Sequence, residues 1–185
     1  MTRIPREFFT REILDVTPTL IGKVICRKFD DGTIGRFQIT EVEAYCGEED
    51  KACHAAKGRT PRTEAFYKKG GHLYVYLIYG MYWLLNIVTG QKDSPQAVLI
   101  RGAKGIDGPG RLGKALKLDK TFYGEDLIKS SRIWLEDIGE TLPYITTPRI
   151  GINYAGEPWI SKPWRYLYQE KKPTTKQTKL NFPKA

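Results

Sequence analysis

Side chains that bind metals or form cross-links are scarce in this sequence. Its 185 residues hold three cysteines and two histidines. Cys26, Cys46 and Cys53 are odd in number and include no CxxC pair, which speaks against a disulfide framework or a zinc knuckle. Cys53-His54 beside Asp50 is open to reading as part of a metal site, but no second ligand-rich cluster accompanies it, so no metal or other cofactor is expected. Long apolar runs are missing too. None nears the roughly 18 residues a membrane helix needs. No apolar segment follows the basic N-terminus, so no signal peptide is expected and an intracellular location is. Acidic residues are outnumbered. Against 21 Asp and Glu stand 30 Lys and Arg, for a net charge of +9. Such a chain is drawn to polyanions. Eleven tyrosines and four tryptophans sit among these charges, and π-faces of this kind stack on bases.

The chain is long enough for one domain with a real core. Residues 8–21 read as short helical pieces, with Asp15 as an N-cap and Gly22 as a stop. Val24 to Phe29 reads as a strand, Asp30-Asp31-Gly32-Thr33 as a hairpin turn, and about Gly35 to Tyr45 as the return strand. Period two would put Phe37, Ile39, Glu41, Glu43 and Tyr45 on one face, which then passes from core into a pocket near its end. Gly47 to Gly71 reads as a long loop with one helical turn, a length that is commonly functional. LYVYLIYGMYWLLNIV, residues 73–88, reads as a strand or hairpin broken at Gly80. Ala97 to Gly102 is a further strand. GIDGPGRLG, residues 105–113, lacks the GK[ST] ending of a phosphate loop and gives no GxGxxG. A short helix is expected over Leu112 to Leu118. Strands are expected at Arg132 to Asp137, Arg149 to Ile152 and Trp164 to Tyr168. From about Gln169 the composition turns basic and polar, as expected of a disordered tail.

Between Glu41 and Arg101 the sequence gathers a strand-end carboxylate, Glu43, a tyrosine two residues on, a loop histidine, His54, and Tyr74, Tyr76, Tyr79 and Tyr82 in one short segment. Arg59, Arg62, Lys68 and Lys69 add positive charge. Each has a plainer reading: a solvated glutamate, an ordinary loop histidine, a core strand with hydroxyls at its rim. Composition alone fits an RNA-binding domain equally well.

The segment TEVEAYCGEEDKACHAAKGRTPRT, followed by GGHLYVYLIYGMYWLLNIV and VLIRGA, closely resembles the alkyladenine (3-methyladenine) DNA glycosylase family. The resemblance extends through GPGRLGKAL, PRIGINYAGE and KPWRYLY, to about residue 168. It implies an α+β fold: a single domain, 1–168, on a curved and mostly antiparallel sheet with short helices around it and a protruding β-hairpin that inserts into DNA. It implies hydrolysis of the N-glycosidic bond of alkylated, and by extension deaminated, purines in double-stranded DNA, by a monomeric enzyme. The alternative is a non-catalytic nucleic-acid-binding domain of the same fold.

By the same resemblance Glu43 would be the general base and Arg101 would help hold its water. Tyr45, His54, Tyr76 and Asn86 would bind the flipped base. Tyr79 would wedge into the minor groove, Met81 would lie in the same hairpin, and Arg59 would contact the backbone. One departure is visible: Thr63 stands where the family commonly has Asn. In the tail, Gln177, Leu180 and Phe182 form a QxxLxF pattern similar to peptides that bind a sliding clamp, a second expected partner.

Overall fold

The computed structural model of the protein describes residues 1–170. Ten antiparallel strands form its sheet, in the order β1-β8-β2-β3-β6-β5-β4, with β10 joining β3, β9 joining β10 and β7 joining β6. In chain order the elements are β1 (Thr2–Arg3), α1 (Arg6–Phe9), α2 (Ile13–Thr19), β2 (Val24–Lys28), β3 (Ile34–Tyr45), β4 (Leu73–Ile78), β5 (Tyr82–Thr89), β6 (Gln96–Ala103), β7 (Ile106–Asp107), α3 (Pro109–Ala115), β8 (Ile133–Asp137), β9 (Tyr144–Thr147) and β10 (Arg165–Tyr168). This is the α+β class, with short helices packed on an antiparallel sheet in one domain.

β3 organises the molecule. Its first half pairs with β2, Val24 facing Gln38 and Lys28 facing Ile34. Its second half pairs with β6, and Glu41 to Glu43 pair also with β10. The register slips between Ile39 and Glu41 and again between Glu41 and Val42. A bulge of this kind breaks the alternation of side chains. Ile39, Val42 and Ala44 therefore all lie in the main core. The expectation of one unbroken face from Phe37 to Tyr45 is corrected here. Glu43 and Tyr45 do share a face, but Ile39 is on the core side with Val42.

The core lies between the sheet and α3, where Leu112 and Leu116 meet Val75, Leu85, Ile87, Val98 and Ile100. α3 begins at Pro109, three residues before the expected start, because proline's fixed φ and missing N–H suit the first helical position. Its approach to β5 is close. A Cβ on Gly113 would sit 1.9 Å from the Trp83 carbonyl oxygen. Gly113→Ala should therefore lower stability by about 1–3 kcal/mol or more, as overpacking against rigid backbone does, read by urea unfolding. A wild-type midpoint would show that α3 can shift.

The long segment from Gly47 to Gly71 is more ordered than expected. It forms two 3₁₀ helices, His54–Lys57 and Glu64–Tyr67, and buries Cys53, Ala55, Ala65, Phe66 and Tyr67 against Tyr74, Val88 and Ala97. Two further corrections concern boundaries. α2 is flanked by Glu12, and Asp15 lies in its first turn, not at its cap. Arg149 to Ile152 is not a strand: the strand is Tyr144–Thr147, ended by Pro148, after which Arg149 turns inward and Gly151 takes a positive φ of 76°. Among the described residues no helix is long and apolar enough to cross a membrane.

Candidate active site

The double pairing of Glu41 to Glu43 with β6 and β10 fixes the backbone under Glu43. Its side chain is fully buried. One carboxylate oxygen, Oε1, accepts the Ile150 amide N–H at 2.8 Å, and Oε2 accepts the Tyr45 hydroxyl at 2.9 Å. Arg101 Nε lies 3.5 Å from Oε1. Burial raises the Glu43 pKa above the usual carboxylate value, and Arg101, the Ile150 amide and the Tyr45 hydroxyl oppose it. Glu43 thus holds a proton more readily than a surface glutamate, while its contacts favour the ionised form. The Tyr45 hydroxyl is pushed well above the ordinary tyrosine range by burial and by Glu43, so it stays a donor.

Arg101 is shared. Its Nε donates to Glu41 Oε1 at 2.8 Å, and Arg165 Nε donates to the same oxygen at 2.6 Å. Two cations and two carboxylates therefore alternate along the sheet: Arg165, Glu41, Arg101, Glu43. Sequence reasoning found Arg101 and Glu43, but Glu41 and Arg165 went unassigned. The i−2 spacing of Glu41 to Glu43 was the available signal for the first. For Arg165, only the pairing of β10 with β3 brings it near.

A cleft of about 610 Å³ is lined by the three partners of Glu43, Tyr45, Arg101 and Ile150, and among others by His54, Tyr76, Leu99 and Tyr154. A small recess of about 40 Å³ extends it between Tyr45, His54, Tyr76 and Asn86. The structure thus brings together Tyr45, His54, Tyr76, Asn86 and Arg101, five of the residues singled out from sequence, along the cleft and its recess, with Tyr45 and Arg101 also reaching the sixth, Glu43. His54 packs edge-on to Tyr76, ring centroids 4.6 Å apart, and its Nδ1 is 2.8 Å from the Tyr74 hydroxyl. Burial and the nearby Arg62 and Lys57 lower its pKa to about 4. The imidazole is therefore neutral near pH 7 and, with Nδ1 committed to Tyr74, has Nε2 as its remaining polar atom. Asn86 is buried in β5 and donates from Nδ2 to the Tyr74 carbonyl at 3.1 Å, which fixes the orientation of its amide. Tyr154 and Ile150 also line the cleft and were not foreseen; Arg62, expected from sequence only as flanking charge, lines it too.

Beside the cleft, β4 and β5 form a hairpin whose turn is Ile78 to Met81, closed by the Met81 N–H on the Ile78 carbonyl. Tyr79 and Gly80 have positive φ, 53° and 66°. Such a pair matches the twist of a tight hairpin, and a tyrosine there is an uncommon choice. Tyr79 is 82% exposed and Met81 59%. Two large apolar side chains are thus presented to solvent at a hairpin tip.

Arg59 stands apart. Its guanidinium donates to both Glu64 carboxylate oxygens, at 2.7 and 2.8 Å, and to Asp93 at 3.0 Å. Arg62, from the loop before the second 3₁₀ helix, and Arg111, from the first turn of α3, are both exposed and line the cleft. Thr63, at the departure from the family pattern, is buried and braces the loop: its hydroxyl accepts the Thr60 N–H and donates to the Gly58 carbonyl, each at 2.8 Å. Asp50 is not poised as a metal ligand beside His54, since both its oxygens are taken by Arg149. Gln177, Leu180 and Phe182 lie outside the described residues.

Known sequences resemble this chain along most of its length. Residues 7–108 and 103–172 match the family described as "Methylpurine-DNA glycosylase (MPG)". Relatives carry the name "Putative 3-methyladenine DNA glycosylase". One from Psychrobacter cryohalolentis is 41% identical, covering 88% of this chain and 90% of its own. One from Rickettsia felis is 45% identical over 89% and 92%, and one from Methanocella arvoryzae is 39% identical over 90% and 92%. The family and the names of these relatives define the class as DNA-repair glycosylase. The chain belongs to the methylpurine-DNA glycosylase family.

Proposed function

We propose that this chain removes alkylated purines from double-stranded DNA by hydrolysing the N-glycosidic bond, acting as a monomer. The observation that carries this reading is Glu43, a fully buried carboxylate directly behind an aromatic-walled cleft, held by three residues that line it: the Ile150 amide, the Tyr45 phenol and Arg101. The target carbon is hidden in duplex DNA, so the nucleotide must leave the stack. Tyr79 would fill the gap it leaves, and Tyr45 and Tyr76 would stack on the extruded base with His54 at its edge. An electron-poor, alkylated ring favours such stacking. Asn86 would narrow the recess against bases with an added amino group.

In the chemical step Glu43 takes a proton from water as the oxygen bonds to C1′. The C1′–N bond breaks and its electron pair returns to the base, whose positive charge is thereby neutralised. The sugar becomes oxocarbenium-like on the way, and the ionised Glu43 stabilises it. Arg101 and the Ile150 amide hold Glu43 in that ionised form. No lysine stands in its place, so the product is an abasic site without strand cleavage.

The test is a panel of duplexes carrying methylated, deaminated and undamaged purines, scored for abasic sites with EDTA present. Release of methylated adenine is expected. Binding without release would favour the non-catalytic alternative, and release that EDTA abolishes would favour metal chemistry. The pH dependence has a defined sign. Glu43 must be ionised, and its pKa is raised, so single-turnover release of a cationic lesion should climb through an acid limb above the ordinary glutamate value of 4.5. His54 is already neutral there and Tyr45 stays protonated, so no falling limb is expected near neutrality. A limb at or below 4.5, or a bell centred near pH 7, would contradict this assignment.

A further inference from the structure

One buried ion pair joins the elements that line the cleft without touching it. Arg149 and Asp50 both have fully buried side chains. They form a bidentate pair, Nη1 to Oδ2 at 2.6 Å and Nη2 to Oδ1 at 2.9 Å. Each then reaches the backbone near the site. Asp50 accepts the N–H groups of Cys46 and Ala52, at 3.0 and 3.1 Å. Arg149 Nη1 donates to the Ala44 carbonyl at 2.8 Å, and its guanidinium carbon lies 4.8 Å from the centre of the Tyr45 ring. Arg149 Nε is buried without a partner among the described residues, so the head group's place rests on Asp50, Ala44 and the rings of Tyr45 and Trp164.

The next residue in the chain, Ile150, gives its N–H to Glu43. A few residues on, the Tyr154 hydroxyl donates to the Ala52 carbonyl at 3.0 Å, beside the amide that Asp50 holds. The pair thus ties together the end of β3, the loop leading to His54, and the loop after β9. A fixed planar fork suits such bridging better than an ammonium would.

The geometry points to Arg149, held by Asp50, as the positioning residue that keeps the Ile150 amide on Glu43 and the Tyr45 ring beside it. This rests on Glu43 acting as the base. Glu43 is faced by Glu41 and Tyr45 from its own strand, Arg101 from β6, Tyr76 from β4 and Tyr154 from the loop after Ile150, with Arg165 of β10 reaching Glu41. The Ile150 amide is among the contacts that lower its pKa. Loosening Arg149 therefore raises the pKa of Glu43 further.

The experiment is single-turnover release from a methylated-purine duplex as a function of pH, for full-length wild type, Arg149→Lys, Asp50→Asn, Ile150→Pro and Glu43→Gln. Cooperative melting establishes folding, and binding to a duplex with a tetrahydrofuran abasic analogue establishes DNA affinity. Arg149→Lys and Asp50→Asn should lose roughly 10- to 100-fold in plateau rate, the scale of a small misplacement at a reacting centre, with affinity nearly unchanged. Their acid limb should move up. Ile150→Pro, which lacks the N–H while retaining Arg149 and Asp50, should move the limb the same way. A folded Arg149→Lys with an unmoved limb overturns the proposal, as does an unmoved limb in Ile150→Pro. So does failure of both pair variants to fold, which would make the contact purely structural. Activity retained in Glu43→Gln overturns instead the reading of Glu43 as base.

Discussion

Glu43→Gln should lower single-turnover release of a methylated purine by roughly 10²- to 10⁴-fold, the usual contribution of a positioned general base, while leaving affinity for abasic-analogue DNA within a few-fold of wild type. Glutamine keeps the shape and an acceptor for the Ile150 N–H, but it cannot take a proton. Arg101 would remain held, because its shorter contact is to Glu41 at 2.8 Å and not to Glu43 at 3.5 Å. The DNA-facing surface should therefore change little. Glu41 is a poor substitute base, since Arg101 and Arg165 both occupy one of its oxygens. Rapid-quench measurement at saturating enzyme separates release from binding. Wild-type release by the variant would mean that another group activates the water.

Asp50→Ala should be the most destabilising of the single changes considered. It leaves the Arg149 guanidinium buried with its counter-charge gone and frees the Cys46 and Ala52 amides. Removing one partner of a buried ion pair costs about 3–5 kcal/mol. In a chain of this length each kcal/mol lowers Tm by roughly 2–4 °C, so a fall on the order of 10 °C is expected in a thermal melt. Part of that loss should return in Asp50→Ala/Arg149→Met, where no unpaired charge remains. Arg59→Ala supplies the contrast: its partners Glu64 and Asp93 are exposed, and Tm should hardly move. Equal losses from Asp50→Ala and Arg59→Ala would show that burial of the first pair does not matter energetically.

Much of this was legible in the residues, for reasons that differ by element. The β2–β3 hairpin was readable because Asp30 to Thr33 carries turn chemistry with glycine at a positive φ. The β4–β5 hairpin was readable from aromatic and β-branched runs broken at Gly80. The pocket residues came as a group through resemblance, since spacing alone could only suggest that Glu43 and Tyr45 share a face. What stayed hidden depended on distant pairing. Arg149 looked like the start of a strand because nothing local says that a basic residue after Pro148 will be buried against Asp50, 99 positions earlier in the chain. Arg165 meets Glu41 across 124 positions for the same kind of reason. The slip in β3 leaves no local mark either, as Thr40-Glu41-Val42 has no glycine or proline to announce it.

That slip has a consequence for how the chain can vary in length. Upstream of it, β3 is read in one parity by its neighbours, and downstream in the other, so a single strand serves as core wall and then as cleft floor. Loss of one residue between Ile39 and Val42 would not shorten the strand smoothly. It would put every residue that follows one position out of step with its partners on β6 and β10, so that Glu43 could no longer meet both Arg101 and the Ile150 amide. Substitutions along β3 can be absorbed one at a time, but insertions and deletions at this point cannot, and the setting of Glu43 is therefore tied to a count of residues as firmly as to their chemistry.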